Sequence, residues 1–262
     1  MQKLKIQNNS SRDTPVRIIE HGQPDGRPPF ILLHGISMPP THWSELPKAL
    51  GRYTVAVGIP NSSETPKLPS MNWYAERVGQ AITEVAGDSY DVLGLSWGGL
   101  LAQQLAKVRR PQVRKLVLAA TAPLTPAVFW ARPNPSAIKI VNSTVRSPDA
   151  AALLYGGDIS RNPDLVKKLG IEREVDPKQH HQQQYAAIRL LMGASTVSNV
   201  LRPHPDTLVM AGNDDPLIPF WSARAGASLT NAQFERVEGG GHGFLLTRPE
   251  ESAKTINNFL DS

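Results

Sequence analysis

The sequence predicts an α/β fold, a mostly parallel, doubly wound sheet interrupted by a helical insertion. Three observations predict it. Short apolar runs recur along the 262 residues, and several are nearly continuous rather than alternating, as suits central strands covered on both faces. Amphipathic helical patterns stand between those runs. The alternation then stops between about Pro123 and Pro205, where Pro-rich loops give way to helical stretches without a convincing strand.

The expected strands are Val16 to Ile19, Phe30 to Leu33, Tyr53 to Val57, Tyr90 to Leu93, Val113 to Ala119, Thr207 to Ala211 and Phe234 to Val237. Most are too short for helices. Tyr74, Val78, Ala81, Ile82 and Val85 share one helical face, as do Leu101, Ala102, Leu105 and Val108. Near the end, Thr247-Arg248-Pro249-Glu250 reads as a capping box with proline in the first turn, opening a helix through Ala253, Ile256, Phe259 and Leu260. The insertion carries helical stretches around Ser147 to Tyr155, Asp164 to Gly170 and Gln179 to Met192. The expected organisation is one core domain, residues 1–122 and 206–262, with residues 123–205 forming a helical lid over one end of the sheet.

Composition narrows the function classes. No run approaches the roughly 18 apolar residues that a membrane span needs. The N-terminus lacks the apolar stretch of a secretory signal, so a cytoplasmic chain, or one already processed, is expected. Zero cysteines exclude disulfides, thiolate metal sites and a thiol nucleophile. The formal charge of +5 comes from scattered Lys and Arg with no basic tail, so no nucleic-acid partner is expected.

The chemistry centres on Leu93-Gly94-Leu95-Ser96-Trp97-Gly98-Gly99. A lone serine between glycines, after an expected strand and before an expected helix, is the context of a G-x-S-x-G nucleophile elbow. Gly94 and Gly98 let strand and helix approach closely, and the Trp97 N–H at the helix N-terminus can donate to an oxyanion. Such a serine needs an acid and then a histidine, in that chain order. Asn213-Asp214-Asp215-Pro216 follows one late strand, and Gly239-Gly240-Gly241-His242-Gly243 follows the next. A second oxyanion donor is expected in the loop after Phe30 to Leu33, where Ile36 N–H is the candidate and His34 reads as structural. His180 and His181 have no metal-ligand partners in the pattern and read as surface residues. No cofactor and no metal are expected.

These residues resemble the α/β-hydrolase superfamily, and within it intracellular medium-chain-length poly(3-hydroxyalkanoate) depolymerases. The similarity runs through Gly94 to Gly99 with Ala102-Gln103-Gln104, Lys115 to Ala122, Tyr155-Gly156-Gly157, Arg161-Asn162-Pro163-Asp164, Leu208 to Pro219, Asn231-Ala232-Gln233 and Gly241 to Arg248. It departs at Gly58-Ile59-Pro60-Asn61-Ser62-Ser63, where the family carries a glycine-rich segment. The resemblance implies an α/β-hydrolase fold, with Ser96 as nucleophile, Asp215 as acid and His242 as base. It implies a serine ester hydrolase acting on medium-chain 3-hydroxyalkanoate polyester or oligomers, with a granule surface among the candidate partners. Phe129, Trp130, Tyr155 and Tyr185 are then candidates for an apolar passage over Ser96, against the reading that they pack the insertion onto the sheet. Two alternatives stand beside it: a small-molecule carboxylesterase or lipase, and a non-catalytic hydrolase-fold protein that binds a ligand.

Overall fold

The computed structural model describes residues 3–7, 16–60, 65–124, 135–136, 155, 158, 164–165, 176–193 and 205–262. Phe129, Trp130, most of the helical stretches expected around residues 147–155 and 164–170, and Asn61 to Ser63 lie outside the described residues.

Eight strands make one sheet in the order β1-β2-β4-β3-β5-β6-β7-β8. They are β1 (Lys3–Gln7), β2 (Val16–His21), β3 (Phe30–Leu33), β4 (Thr54–Val57), β5 (Tyr90–Leu95), β6 (Val113–Ala119), β7 (Asp206–Gly212) and β8 (Gln233–Val237). Strands β3 to β8 run parallel, while β1 and β2 are antiparallel at one edge. The helices are α1 (Leu46–Leu50), α2 (Met71–Ala86), α3 (Trp97–Val108), α4 (Pro177–Gly193), α5 (Phe220–Leu229), α6 (Phe244–Thr247) and α7 (Pro249–Leu260). Among the described residues, no helix is long and apolar enough to cross a membrane.

The continuous apolar runs have a direct cause. Successive strand residues point to opposite faces, and both faces are covered. Ile31 and Leu33 join one buried cluster with Tyr74 and Val78 of α2 and Leu101 and Leu105 of α3. Phe30 and Leu32 join the other, with Leu46 of α1 and Ile256 and Phe259 of α7. Each such side chain contributes about 2 kcal/mol by leaving water, so neither face tolerates polar alternation.

Two expectations change. β1, Lys-Leu-Lys-Ile-Gln, is not among the expected strands and pairs antiparallel with β2, Lys3 opposite Glu20 through Gln7 opposite Val16. The capping box does not form: α7 starts at Pro249 with Arg248 as its cap residue and no side-chain cap bond. Thr247 instead ends α6, and its hydroxyl donates to Asp158 Oδ2 at 2.8 Å, which removes it from any capping role.

The β5–α3 junction depends on missing side chains. A Cβ on Gly98 would overlap the carbonyl oxygens of Leu33 and His34, and one on Gly94 would overlap Gly98 O. These are backbone atoms of packed elements and cannot swing aside. Gly98→Ala is therefore expected to destabilise the fold by about 3 kcal/mol, the upper range for overpacking. Urea unfolding would read it as a lowered midpoint with an unchanged slope. An unchanged midpoint would mean that strand and helix can part at no cost.

Candidate active site

In an open parallel sheet, side chains beyond the carboxyl ends of the strands converge on one rim. Three loops do so here, after β5, β7 and β8. Ser96 links β5 to α3 at φ 53°, ψ −117°, in the left-handed half of backbone space that costs a non-glycine residue roughly 1–3 kcal/mol. Its N–H donates to Ala119 O at 2.9 Å and its carbonyl accepts from Gly99 N at 2.8 Å, so the strained turn is held from both sides.

The Ser96 hydroxyl lies 2.8 Å from His242 Nε2, and His242 Nδ1 lies 2.9 and 3.1 Å from the two oxygens of Asp215. A carboxylate can only accept, so Nδ1 carries the imidazole proton and Nε2 presents its lone pair to Ser96. Asp215 is fixed as well: its Oδ1 accepts from the N–H groups of Leu217 at 2.8 Å and Ile218 at 3.0 Å, and its side chain is 1% exposed. Asp214 N donates to Gly240 O at 3.0 Å, which ties the loop after β7 to the loop carrying His242, while the Asp214 side chain is exposed.

Trp97 directly follows the serine, and Ile36 lies in the loop after β3, the strand that pairs with β5. Trp97 is the first residue of α3, where an N–H has no acceptor within its own helix. Its indole packs edge-on against Tyr74, with ring centroids 5.3 Å apart, and burial raises the Tyr74 hydroxyl above the usual tyrosine range. Ile36 lies in the turn closed by Met38 N donating to Gly35 O. His34 sets that turn's orientation. Ile59 N donates to His34 Nε2 at 3.2 Å, which leaves Nδ1–H to donate to Gly35 O at 2.8 Å. The Gly35 carbonyl and the Ile36 N–H share one planar peptide, so holding the first on one side aims the second to the other.

Among the described residues, Tyr155 and α4 of the segment expected to form a lid reach the loops of this rim. Tyr155 is buried with its ring directly over Gly243, where a Cβ would overlap it, and its hydroxyl stands 3.5 Å from His42 Nε2. Tyr185 is half-buried on α4, with the Arg189 guanidinium 5.7 Å from its ring centre. His180 corrects the sequence reading, because it is 3% exposed and its Nδ1 lies 2.7 Å from Ser37 Oγ. His181 is exposed, as expected. Sequence reasoning missed Gln183 and the pair Asp158–Arg248 altogether. Hydropathy could not find Gln183, because the buried side of α4 carries His180, Gln182 and Gln183 where apolar residues are looked for.

Arg248 donates to both oxygens of Asp158 at 3.1 Å and to the carbonyls of Glu238 and Gly239, the first two residues after β8 on the way to His242. Donating these hydrogen bonds to the Asp158 carboxylate raises the guanidinium above its ordinary pKa. Arg248→Ala would take the charged partner from the largely buried Asp158 carboxylate, a loss of about 3 kcal/mol. Thermal unfolding should register it, and an unchanged Tm would mean that Asp158 finds water instead.

A cavity of about 340 Å³, lined in part by Gly22, Gly51 and Arg52, opens at the N-terminal ends of β3 and β4, the opposite end of the sheet from Ser96. Among the described residues, no group of three or more His, Asp or Glu side chains is placed to hold a metal ion.

An eight-stranded, mostly parallel sheet with a strained serine at the strand–helix turn defines an α/β-hydrolase. The chain belongs to the alpha/beta hydrolase family, whose model matches residues 30–255. The chain is 32% identical over 217 residues to a poly(3-hydroxyalkanoate) depolymerase of Ectopseudomonas oleovorans, a match covering 79% of this chain and 74% of that one. It is 26% identical over 257 residues to a pimeloyl-[acyl-carrier protein] methyl ester esterase of Aromatoleum aromaticum, covering 89% and 98%. A solved thermophilic esterase from Thermogutta terrifontis superposes with a TM-score of 0.72 at 18% identity, over 99% of this chain and 98% of that one. The resemblance read from the residues is thereby borne out at the level of family and fold.

Proposed function

We propose that the protein is a serine ester hydrolase in which Ser96, His242 and Asp215 form the catalytic triad. The observation that carries this reading is the unbroken hydrogen-bond chain from Ser96 Oγ through His242 to a buried, twice-anchored Asp215. His242 Nε2 takes the Ser96 proton as Oγ attacks the ester carbonyl, and the Ile36 and Trp97 amides receive the developing oxyanion. His242 then gives the proton to the leaving alcohol, and the acyl group stays on Ser96. Water, deprotonated by the same nitrogen, releases the acid and restores the serine. Asp215 holds the ring in the required tautomer and stabilises the imidazolium.

The substrate we infer is medium-chain 3-hydroxyalkanoate polyester or its oligomers, with residues 123–205 acting as a lid and the polymer granule as the surface approached in the cytoplasm. The 32% identity to a poly(3-hydroxyalkanoate) depolymerase supports it. The match to a methyl ester esterase over nearly its whole length favours a small ester as the second reading. One panel separates them: soluble esters from acetate to medium chain, beside amorphous medium-chain polyester granules, with Ser96→Ala as the blank. The first reading expects 3-hydroxy acids released from the granules and apolar-chain esters preferred over acetate. Cleavage of soluble medium-chain esters without release from granules would hand the assignment to the small-ester reading.

A further inference from the structure

The turn that carries Ile36 is not held by its own chain alone. Ser37 has φ 56°, a left-handed conformation uncommon for a residue other than glycine, and two bonds from outside the turn hold it. Both bonds come from one helical turn of α4. Ser37 N donates to Gln183 Oε1 at 2.7 Å, and Ser37 Oγ lies 2.7 Å from His180 Nδ1. The same residue reaches the other side of the serine, because the Gln183 carbonyl accepts from Trp97 Nε1 at 2.8 Å. The loop after β3 and the start of α3 are 60 residues apart in the chain, and a single residue of α4 bonds to both.

Gln183 is fully buried, and its Nε2 has no hydrogen-bond partner among the described residues. An apolar side chain of that size would fill the space without stranding a buried amide. What leucine could not supply is the acceptor for Ser37 N–H.

We propose that Gln183, assisted by His180, is a positioning residue for the oxyanion site. It fixes the Ile36–Ser37 turn relative to Trp97, so that the two amide donors sit at a set separation. The proposal rests on the serine-hydrolase reading above and adds that the site is complete only with α4 seated against it. Donors that must meet an oxyanion within a few tenths of an ångström act in the transition state, so loosening them lowers kcat and leaves ground-state binding alone.

The test is kinetic. In Gln183→Leu, kcat for a soluble medium-chain ester is expected to fall about 10- to 100-fold, the cost of a small misplacement of catalytic groups, with KM little changed. Affinity for an alkyl boronic acid should fall by a similar factor, because its Ser96 adduct places an oxygen where the oxyanion forms. Ser37→Ala removes the His180 bond while leaving α4 untouched, and is expected to lower kcat several-fold in the same pattern. It carries the test if Gln183→Leu does not fold. An unchanged kcat in either folded variant, or a loss confined to KM, overturns the positioning role. Ser96→Ala, run beside them, keeps the two ideas apart. If it retains turnover the serine-hydrolase reading fails, and if it is inactive while Gln183→Leu keeps full kcat only the positioning role fails.

Discussion

Ser96→Ala is expected to lower ester turnover by about a millionfold, because triad members act as a unit and losing the nucleophile costs nearly as much as losing all three. His242→Ala should fall to the same floor, and the double variant no further. What remains would come from the Ile36 and Trp97 amides and from substrate binding, which act without the nucleophile. Folding should be untouched. Alanine keeps the Cβ that already tolerates φ 53°, and the bonds that hold the turn, Ser96 N to Ala119 O and Gly99 N to Ser96 O, are backbone bonds. Steady-state assay of purified protein, with loss of fluorophosphonate labelling as a second readout, checks it. Retention of even a hundredth of the activity would mean that another group attacks the ester.

The parts of this molecule that were legible in the sequence are those where one physical cause dominates. Strands β3 to β7 are largely buried on both faces, so their apolar runs are nearly continuous, and their ends fall within a residue or two of the expected limits. Helices α2, α3 and α7 bury one face, and the residues at helical spacing are the buried ones except Val85 and Val108, which are half-buried near the helix ends. Legibility fails where polar groups carry the packing. α4 turns His180, Gln182 and Gln183 inward, where their side chains bond to Ser37, Thr65 and Pro66, and a hydropathy reading takes such a face for surface. Thr247 resembles a cap until Asp158, 89 residues earlier, takes its hydroxyl. Such partners are distant in sequence, so no local pattern announces them. At the candidate site the sequence named Ser96, Asp215 and His242 because strand ends and glycines mark the turns that carry them. It did not name His180 and Gln183, which bond the turn carrying Ile36 from α4, since those act through three-dimensional contact alone.

Two neighbouring aspartates stand after β7, and their environments separate their expected effects. Asp215 gives Oδ2 to His242 and Oδ1 to the amides of Leu217 and Ile218, with its side chain 1% exposed. Every one of these partners is a donor. In Asp215→Asn, the amide NH2 must therefore face either two backbone N–H groups, which is repulsive, or His242 Nδ1. The second orientation pairs the NH2 with an acceptor nitrogen, which moves the ring proton to Nε2, the nitrogen that must stay free to accept from Ser96. The imidazolium also loses its counter-charge. Turnover should fall about ten-thousandfold, equivalent to about 5 kcal/mol of transition-state stabilisation, with the fold intact. Asp214 contributes a backbone N–H to Gly240 O, and asparagine keeps that bond. Its exposed carboxylate lies in the field of Arg248, where screening by water leaves little to lose. Asp214→Asn should therefore keep turnover within a few-fold of the parent. Measured side by side as kcat/KM on one ester, the two variants should differ by more than a thousandfold, and the reverse ranking would assign the acid to Asp214.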